Sequence, residues 1–378
     1  MESNMVHYLC FYADEKTQGE LETFPSALPK IDYISSTLKE AGKDVRIVSA
    51  CSYKPNASRF FDIVKNRFDV ECIYIQRPWK LPHKLCVLAF WFKVFQYIIC
   101  NVKRNDTLLV YHSLAYIYPI RFARLFKKVR MVVEVEELFY TLFNKNKKFK
   151  NRELSFLRTA DAYLLVNDLL VDKLKIKKPF LISYSAYRSE MPIKHIPYED
   201  GKIHIVYAGC IEQHRKAAFM AVEAARYLSE KYHLHILGFG QKEDIEKLKS
   251  NIALVNKNRE IARVTYEGSK YGSEYSAFLS KCQIGLTCHV YNDKIPESAD
   301  CTFPSKVFVY FLHGLKVVSF PLKCLEQSAV SEYVSFASDF SAKSLANAIL
   351  KVDLSSNNPD SKVYNMHKEF VNKICNII

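Results

Sequence analysis

Three groups of residues have the types and spacing to act on an anionic substrate. The first is Gly209-Cys-Ile-Glu-Gln-His-Arg215-Lys216, a glycine turn followed by two cations at what reads as a helix start. Fixed cations and the free N–H groups of a helix N-terminus hold phosphate oxygens. A plain strand–helix turn with a charged surface would use the same residues. The second group is Phe303-Pro304-Ser305-Lys306, where a proline suited to a helix start leads into a lysine. The third lies in the first half: His112 after the apolar run 107–111, and Glu134, Glu136 and Glu137 at and after the run 130–134. A histidine or carboxylate at a strand end has the proton affinity for general-base work, so His112, Glu136 and Glu137 are the catalytic candidates. Gly238-Phe-Gly240 is a weaker signal, because many strand–helix turns need glycine for tightness alone. No DxD-type carboxylate pair is evident, so no metal and no cofactor are expected.

These groups need a frame that gathers strand ends. Runs 6–12, 44–49, 70–75, 107–111, 130–134 and 162–166 read as strands separated by helical segments. One such helix, 27–41, carries Ile31, Ile34 and Leu38 on one side and stops at Gly42. Prolines, charges and a glycine mark a linker over 190–202. The pattern then restarts, with strands at 203–208, 233–237, 264–267, 283–287 and 316–320 and helices at 217–231, 271–282 and 305–312. The fold class is α/β: two Rossmann-like lobes facing a central cleft. The first lobe is expected over 1–195 and the second over 202–360, with a last helix over 361–378 packing back on the first. Ligands of open parallel sheets gather beyond the carboxyl ends of the strands, where all three groups fall.

The 378 residues exceed what one core usually supports, which agrees with two domains. Eleven cysteines without a CxxC pair read as reduced thiols rather than a disulfide framework or zinc ribbon, and so as a cytoplasmic protein. The start, Met1-Glu-Ser-Asn-Met5, is not read as a signal peptide. The longest apolar run, 85–100, falls short of the roughly 20 residues that span a bilayer. The net charge of +14 lies mostly in residues 1–200 and calls for an anionic partner. Over 120–129, Arg121, Arg124 and Lys128 fall on one helical face, opposite Phe122, Leu125, Phe126 and Val129, with Lys145, Lys147, Lys148 and Lys150 following. These cations are expected to face an anionic membrane, with the aromatic 85–100 segment buried or partly sunk in the interface. Nucleic acid is not expected, since neither a zinc pattern nor an RNP-like strand is present.

Five motifs occur in one order: Tyr-Ala-Gly209…Arg215-Lys216, Leu-Gly238-Phe-Gly240, Tyr-Glu-Gly268, Cys-Gln-Ile-Gly-Leu286, and Phe303-Pro304-Ser305-Lys306…Tyr-Phe-Leu-x-Gly314. Together they resemble the C-terminal lobe of GT-B glycosyltransferases, and more narrowly the retaining, metal-independent transferases of bacterial capsule and O-antigen assembly (glycosyl transferases group 1). The resemblance covers about 203–330 well and the first lobe loosely. It implies that Gly209, Arg215 and Lys216 face the diphosphate of a nucleotide-sugar donor. By the same resemblance Gly238 and Gly240 lie near the nucleotide, Gly268 and Tyr271 near the base, and Phe303 to Lys306 along the sugar-phosphate pocket. His112 matches a histidine that faces the donor sugar in many relatives. Two positions depart from the family. The helix glutamate that binds ribose is replaced by Val309, and its upstream acidic partner falls at Cys301, with Glu297 and Asp300 nearby. The implied activity is hexosyl transfer, galactosyl or galactofuranosyl among the options, from a UDP-linked donor to a lipid-linked or growing surface glycan. The enzyme would be peripheral on the inner face of the plasma membrane. A sugar-nucleotide epimerase and a catalytically silent binding homologue are the alternatives.

Overall fold

The computed structural model describes residues 4–14, 17, 20–22, 27–53, 63–66, 68–75, 82–142, 146–188, 195–213, 216–258, 260–289, 300–356 and 358–378. They divide into two compact units, residues 1–186 with 367–378, and residues 187–366. In the first unit an eight-stranded sheet runs β10 (Phe180–Ile182), β9 (Ala162–Leu165), β8 (Arg130–Val135), β7 (Thr107–Tyr111), β1 (Met5–Cys10), β3 (Asp44–Ser49), β6 (Glu71–Tyr74) and β5 (Ile63–Lys65). All neighbours are parallel except β5 with β6. A two-residue pair, β2 (Leu21–Glu22) with β4 (Ser52–Tyr53), stands apart. Helices α1 (Leu28–Glu40), α2 (His83–Asn101), α3 (Ile117–Phe126), α4 (Phe139–Leu142), α5 (Lys147–Leu157) and α6 (Leu169–Leu174) connect the strands.

Parallel strands covered on both faces read as continuous apolar runs, and their polar residues must find partners inside. In β1, Val6, Tyr8, Leu9 and Cys10 are buried, and so is His7 between them. The His7 ring meets the Tyr97 hydroxyl of α2 at 2.8 Å and the Asp106 carboxylate at 3.2 Å. One face of α2, namely Cys86, Phe90, Val94, Tyr97 and Ile98, is therefore built into the unit. At 19 residues α2 is longer than the apolar run read from the sequence, and it has the length and composition to cross a membrane. Its other face leaves Leu85, Leu88 and Phe92 exposed.

The cations of helix α3 have contacts within the first unit. The residues it buries are Ile117, Pro119, Ile120 and Ala123, while Leu125 and Phe126 are 77% and 68% exposed. Arg121 donates to Ser155 Oγ at 2.8 Å, and Arg124 to the Thr159 carbonyl at 2.7 Å and the Asp161 carboxylate at 3.1 Å. Lys128 lies beyond the helix, because the chain is already extended at Lys127. A short helix buries one stripe, and the compact Pro-Ile-Ala side takes it. The bulky side turns to α2, where Phe95 meets Phe122 and Phe126 at 5.1 and 6.1 Å.

In the second unit six parallel strands run β13 (Arg263–Gly268), β12 (Tyr232–Leu237), β11 (Ile203–Ala208), β14 (Ile284–Thr287), β15 (Lys316–Ser319) and β16 (Val334–Phe336). Counted from β11 this is the doubly wound order 3-2-1-4-5-6, whose direction reverses between β11 and β14. The core packs Ile205, Leu234, Ile236 and Leu286 against Ala218, Ala221 and Val222 of α7 (Ala217–Ala224), Leu248 of α8 (Lys242–Val255), and Leu345 and Ile349 of α12 (Ala342–Leu350). The helix expected over 217–231 ends early, at Ala224, and continues as a 3₁₀ turn. Helices α9 (Gly272–Leu279), α10 (Lys306–Leu312) and α11 (Lys323–Glu326) also belong to this unit. Helix α13 (Asp360–Ile374) begins in it, and its last turns belong to the first unit. There His367 Nδ1 meets the Tyr33 hydroxyl of α1 at 3.0 Å, and Phe370 stacks on the Tyr33 ring.

One contact ties the strand reversal together. Gly285 of β14 lies under the Tyr310 ring of α10, where a Cβ would overlap the ring atoms. The Tyr310 hydroxyl accepts the Ala208 N–H at 3.1 Å and donates to the Leu286 carbonyl at 3.3 Å. Tyr310→Phe strands a buried N–H, and is expected to destabilise the second unit by about 1–3 kcal/mol in denaturant titration. Gly285→Ala should cost a similar amount by overpacking, about 1–3 kcal/mol.

Candidate functional site

The first unit brings His112, Glu134 and Glu136 to the adjacent carboxyl ends of β7 and β8. Tyr111 pairs with Glu134 in register, and the His112 N–H donates to the Glu134 carbonyl at 2.8 Å. The His112 ring is buried against Phe139 and Phe156. Its Nε2 meets Glu153 Oε1 at 2.8 Å, and its Nδ1 has no partner among the described residues. Glu153, on α5, is fully buried and also accepts the N–H groups of Phe139 and Tyr140. A carboxylate fixed by two backbone donors thus orients the imidazole, the arrangement that sets a histidine base in one tautomer.

Glu136 pairs with the amine of Lys30, a buried residue of α1 that also reaches the Ser183 carbonyl. Glu134 is enclosed and accepts the Tyr8 hydroxyl. Burial first, and then the charge of Glu136, push the Glu134 carboxyl up to about 8, against the opposing pull of Lys30. Glu134 therefore keeps its proton near neutrality, beside the Glu136–Lys30 pair. Glu137 follows, half-buried.

In the second unit the structure gathers Gly209, Gly238, Gly240, Gly268 and Lys306 at the carboxyl edge. Gly238 and Gly240 have a packing reason: a Cβ on either would overlap the backbone carbonyl of Gly209 or Ile211. The loops after β11 and β12 lie directly on each other there, joined by the Ile211–Gly240 bridge. Gly268 takes φ +71, and Tyr271 is 68% exposed. Lys216 is exposed and has a left-handed backbone, φ 55, just before α7. Arg215, with Glu297 and Lys145, lies outside the described residues. Phe303 and Pro304 are buried and Ser305 is exposed. Val309 offers no polar side-chain atom; its carbonyl meets His313 Nδ1 at 2.7 Å.

Lys306 stands one turn before Tyr310 on α10, hence on the same face, over the strand reversal. Its amine lies 5.3 Å from the centre of the Tyr275 ring and makes no ion pair among the described residues. Surrounding atoms strip its hydration and lower its pKa from 10.5. The buried Tyr275 hydroxyl beside it likewise has no hydrogen-bond partner among the described residues. An amine without an ion-pair partner among the described residues, next to an orphaned hydroxyl, favours an anion carrying several oxygens, whose charge would stabilise the protonated amine.

No family model and no curated protein sequence matches the chain. Solved structures match nearly its whole length. Sucrose-phosphate synthase of Thermosynechococcus elongatus superposes with a TM-score of 0.71 at 12% identity, over 99% of this chain and 98% of that one. HepE of Anabaena in complex with UDP and glucose gives 0.65 at 9% identity, over 98% of each chain. The lipopolysaccharide outer core galactosyltransferase WaaB, in apo form, gives 0.62 at 11%, over 98% and 95%. The chain has the GT-B fold.

Within this GT-B chain, sequence reading missed Lys30, Tyr8 and Glu153. Each lies far along the chain from the group it touches, and nothing local marks it. A glutamate inside the lysine-rich stretch 147–157 looks like half of a surface ion pair, yet Glu153 is buried. It also missed His233-Leu-His235, whose i, i+2 spacing on a strand puts both rings on one face.

The Glu134 proton has a thermodynamic consequence. With its folded-state pKa raised from 4.5 to about 8, the folded chain holds a proton that the unfolded chain has lost between those values. Stability is then expected to fall as pH rises through that window, by up to about 1.4 kcal/mol per pH unit. Glu134→Gln keeps the shape without the proton, and denaturant titration from pH 5 to 8 should show a flatter profile than wild type.

Proposed function

We propose that the chain is a glycosyltransferase that moves a hexosyl group from a nucleoside-diphosphate sugar, UDP-linked, to a lipid-linked or growing surface polysaccharide. The observation that carries this reading is the uncompensated Lys306 amine with the Tyr275 hydroxyl, set over the strand reversal of the second unit. The likeness to HepE with UDP and glucose agrees with it. In this reading Lys306, with Lys216, Arg215 and the Gly209 turn, takes the donor diphosphate and stabilises the charge that develops as it departs. Phe303, Pro304 and Ser305 line the sugar side, Gly238 and Gly240 the nucleotide side, and Gly268 and Tyr271 the base.

In the first unit, His112 is oriented by Glu153 and keeps one nitrogen without a partner among the described residues, and Glu136 and Glu137 flank the acceptor. Retention of configuration and independence from metal complete the reading. Lys30 and one proton already neutralise the Glu134–Glu136 pair, which leaves it poorly disposed to hold a divalent cation. The likeness to WaaB agrees with a surface-glycan acceptor.

The enzyme would work at the cytoplasmic face of an anionic membrane, seated by the exposed apolar surface of α2 and α3. Leu85, Leu88, Phe92, Phe122, Leu125 and Phe126 form that surface, with exposed Lys84, Lys93 and Lys128 close to them in the chain. Apolar side chains entering the interface, with cations able to meet lipid phosphates, give the charge complementarity such a surface needs.

UDP should raise the unfolding temperature in a thermal-shift screen more than GDP or dTDP, since a ligand bound only by the folded state stabilises it. No shift with any of the three would overturn the donor assignment. Lys306→Ala is expected to weaken UDP-sugar binding or turnover by about 1–3 kcal/mol. Turnover should persist in excess EDTA; loss in chelator restored by Mg²⁺ or Mn²⁺ would reverse the metal reading. Leu125→Glu with Phe126→Glu is expected to release the protein from anionic liposomes in a sedimentation assay, with turnover on a short soluble acceptor retained.

A further inference from the structure

At the other end of the second sheet from Lys306, toward the strand starts, three histidines crowd one face. His204 of β11 and His233 of β12 are register partners, and His235 lies two residues further along β12 on the same side. One nitrogen from each ring falls within 4.8 Å of the other two. His204 Nδ1 faces His235 Nε2 at 2.8 Å. The outer nitrogens are taken: His204 Nε2 lies 2.9 Å from Asp200 Oδ1, His235 Nδ1 2.8 Å from Glu267 Oε1, and His233 Nε2 meets Thr265 Oγ1. Tyr198 stacks on His204 with ring centres 4.1 Å apart, and Phe278 of α9 meets His235 edge-on.

Counting protons exposes a vacancy in this chain of contacts. Asp200–His204–His235–Glu267 contains three close contacts, each needing one proton, while two neutral imidazoles bring two. If each imidazole donates its proton outward to its carboxylate, the inner lone pairs of His204 Nδ1 and His235 Nε2 point at each other. That contact is stable only with a cation between the nitrogens.

We infer that His204, His233 and His235 bind one divalent transition-metal ion, with Asp200, Glu267 and Thr265 as the outer partners that fix the rings. Imidazole donors backed by carboxylates are the ligand chemistry of Zn²⁺. Tetrahedral zinc–nitrogen bonds of about 2.0–2.1 Å place ligand nitrogens about 3.3 Å apart. The 2.8 Å contact and the 4.8 Å limit bracket that spacing, so ring shifts of about an ångström close the triad. The ion would brace β11 against β12, away from the carboxyl edge, and turnover in EDTA would still be expected.

The test uses the full chain, stripped with chelator and titrated with Zn²⁺ by calorimetry and with Co²⁺ by absorption. Expected are one equivalent of Zn²⁺ per chain, a raised unfolding temperature, and cobalt d–d bands without a thiolate charge-transfer band. The last point separates these histidines from the eleven cysteines as ligands. His235→Gln and His233→Gln should each weaken Zn²⁺ at least tenfold while circular dichroism stays that of wild type. His233, the least buried of the three rings, keeps the test open if His235→Gln fails to fold. No zinc uptake, unchanged affinity in His233→Gln, or a thiolate band would overturn the site.

Discussion

Burying both faces of a parallel sheet leaves its polar side chains with nowhere to go except to one another. That constraint organises most of what surrounds the strands of this chain. His7 is enclosed in β1 and is held by Tyr97 and Asp106. Glu153 is enclosed beside β7, takes two backbone N–H groups, and turns its remaining capacity on His112. Glu136 pairs with Lys30, and Glu134, enclosed beside it, has its carboxyl pushed up to about 8. Each arrangement is the resolution of a desolvation cost that an unpaired group would carry in full.

Against that background the incompletely resolved groups stand out. Lys306 has an amine whose pKa the surrounding atoms lower, and Tyr275 keeps a hydroxyl with no partner among the described residues. The two lie together over the reversal of strand order, which Tyr310 braces through Ala208 and Leu286. Rigid backing and an unmet electrostatic demand are what a preorganised anion site requires. The histidine face of β11 and β12 is a second unmet demand, set by proton count and not by charge.

The α2–α3 surface shows a different competition. Both helices are amphipathic, and each has more apolar side chain than one stripe against the sheet can take. The residues that fit closely go inward, and the large aromatic ones pack laterally, helix on helix, leaving Leu125 and Phe126 in the open. The cations of α3 satisfy themselves on Ser155, Thr159 and Asp161.

The amino-acid sequence by itself determined the elements and their alternation. Apolar runs such as Ile203–Ala208 and Thr107–Tyr111 coincide with the observed strands, because a doubly buried strand leaves no choice of residue type. The stop of α1 at Gly42 was legible for the same local reason: the helix closes through Lys43 N–H to the Leu38 carbonyl. The sequence also placed His112 and Lys306 just beyond strands or at a helix start, since that depends only on chain order. What tertiary structure decided is which side chains meet. Lys30 reaches Glu136 across 106 positions, Tyr8 reaches Glu134 across 126, and His204 reaches His235 across 31. It also decided which face of α3 is buried, because helical periodicity fixes the two faces but not the partner that selects between them. Periodicity is a property of neighbours along the chain; charge neutralisation and face selection are settled by groups that become neighbours only when the sheets form.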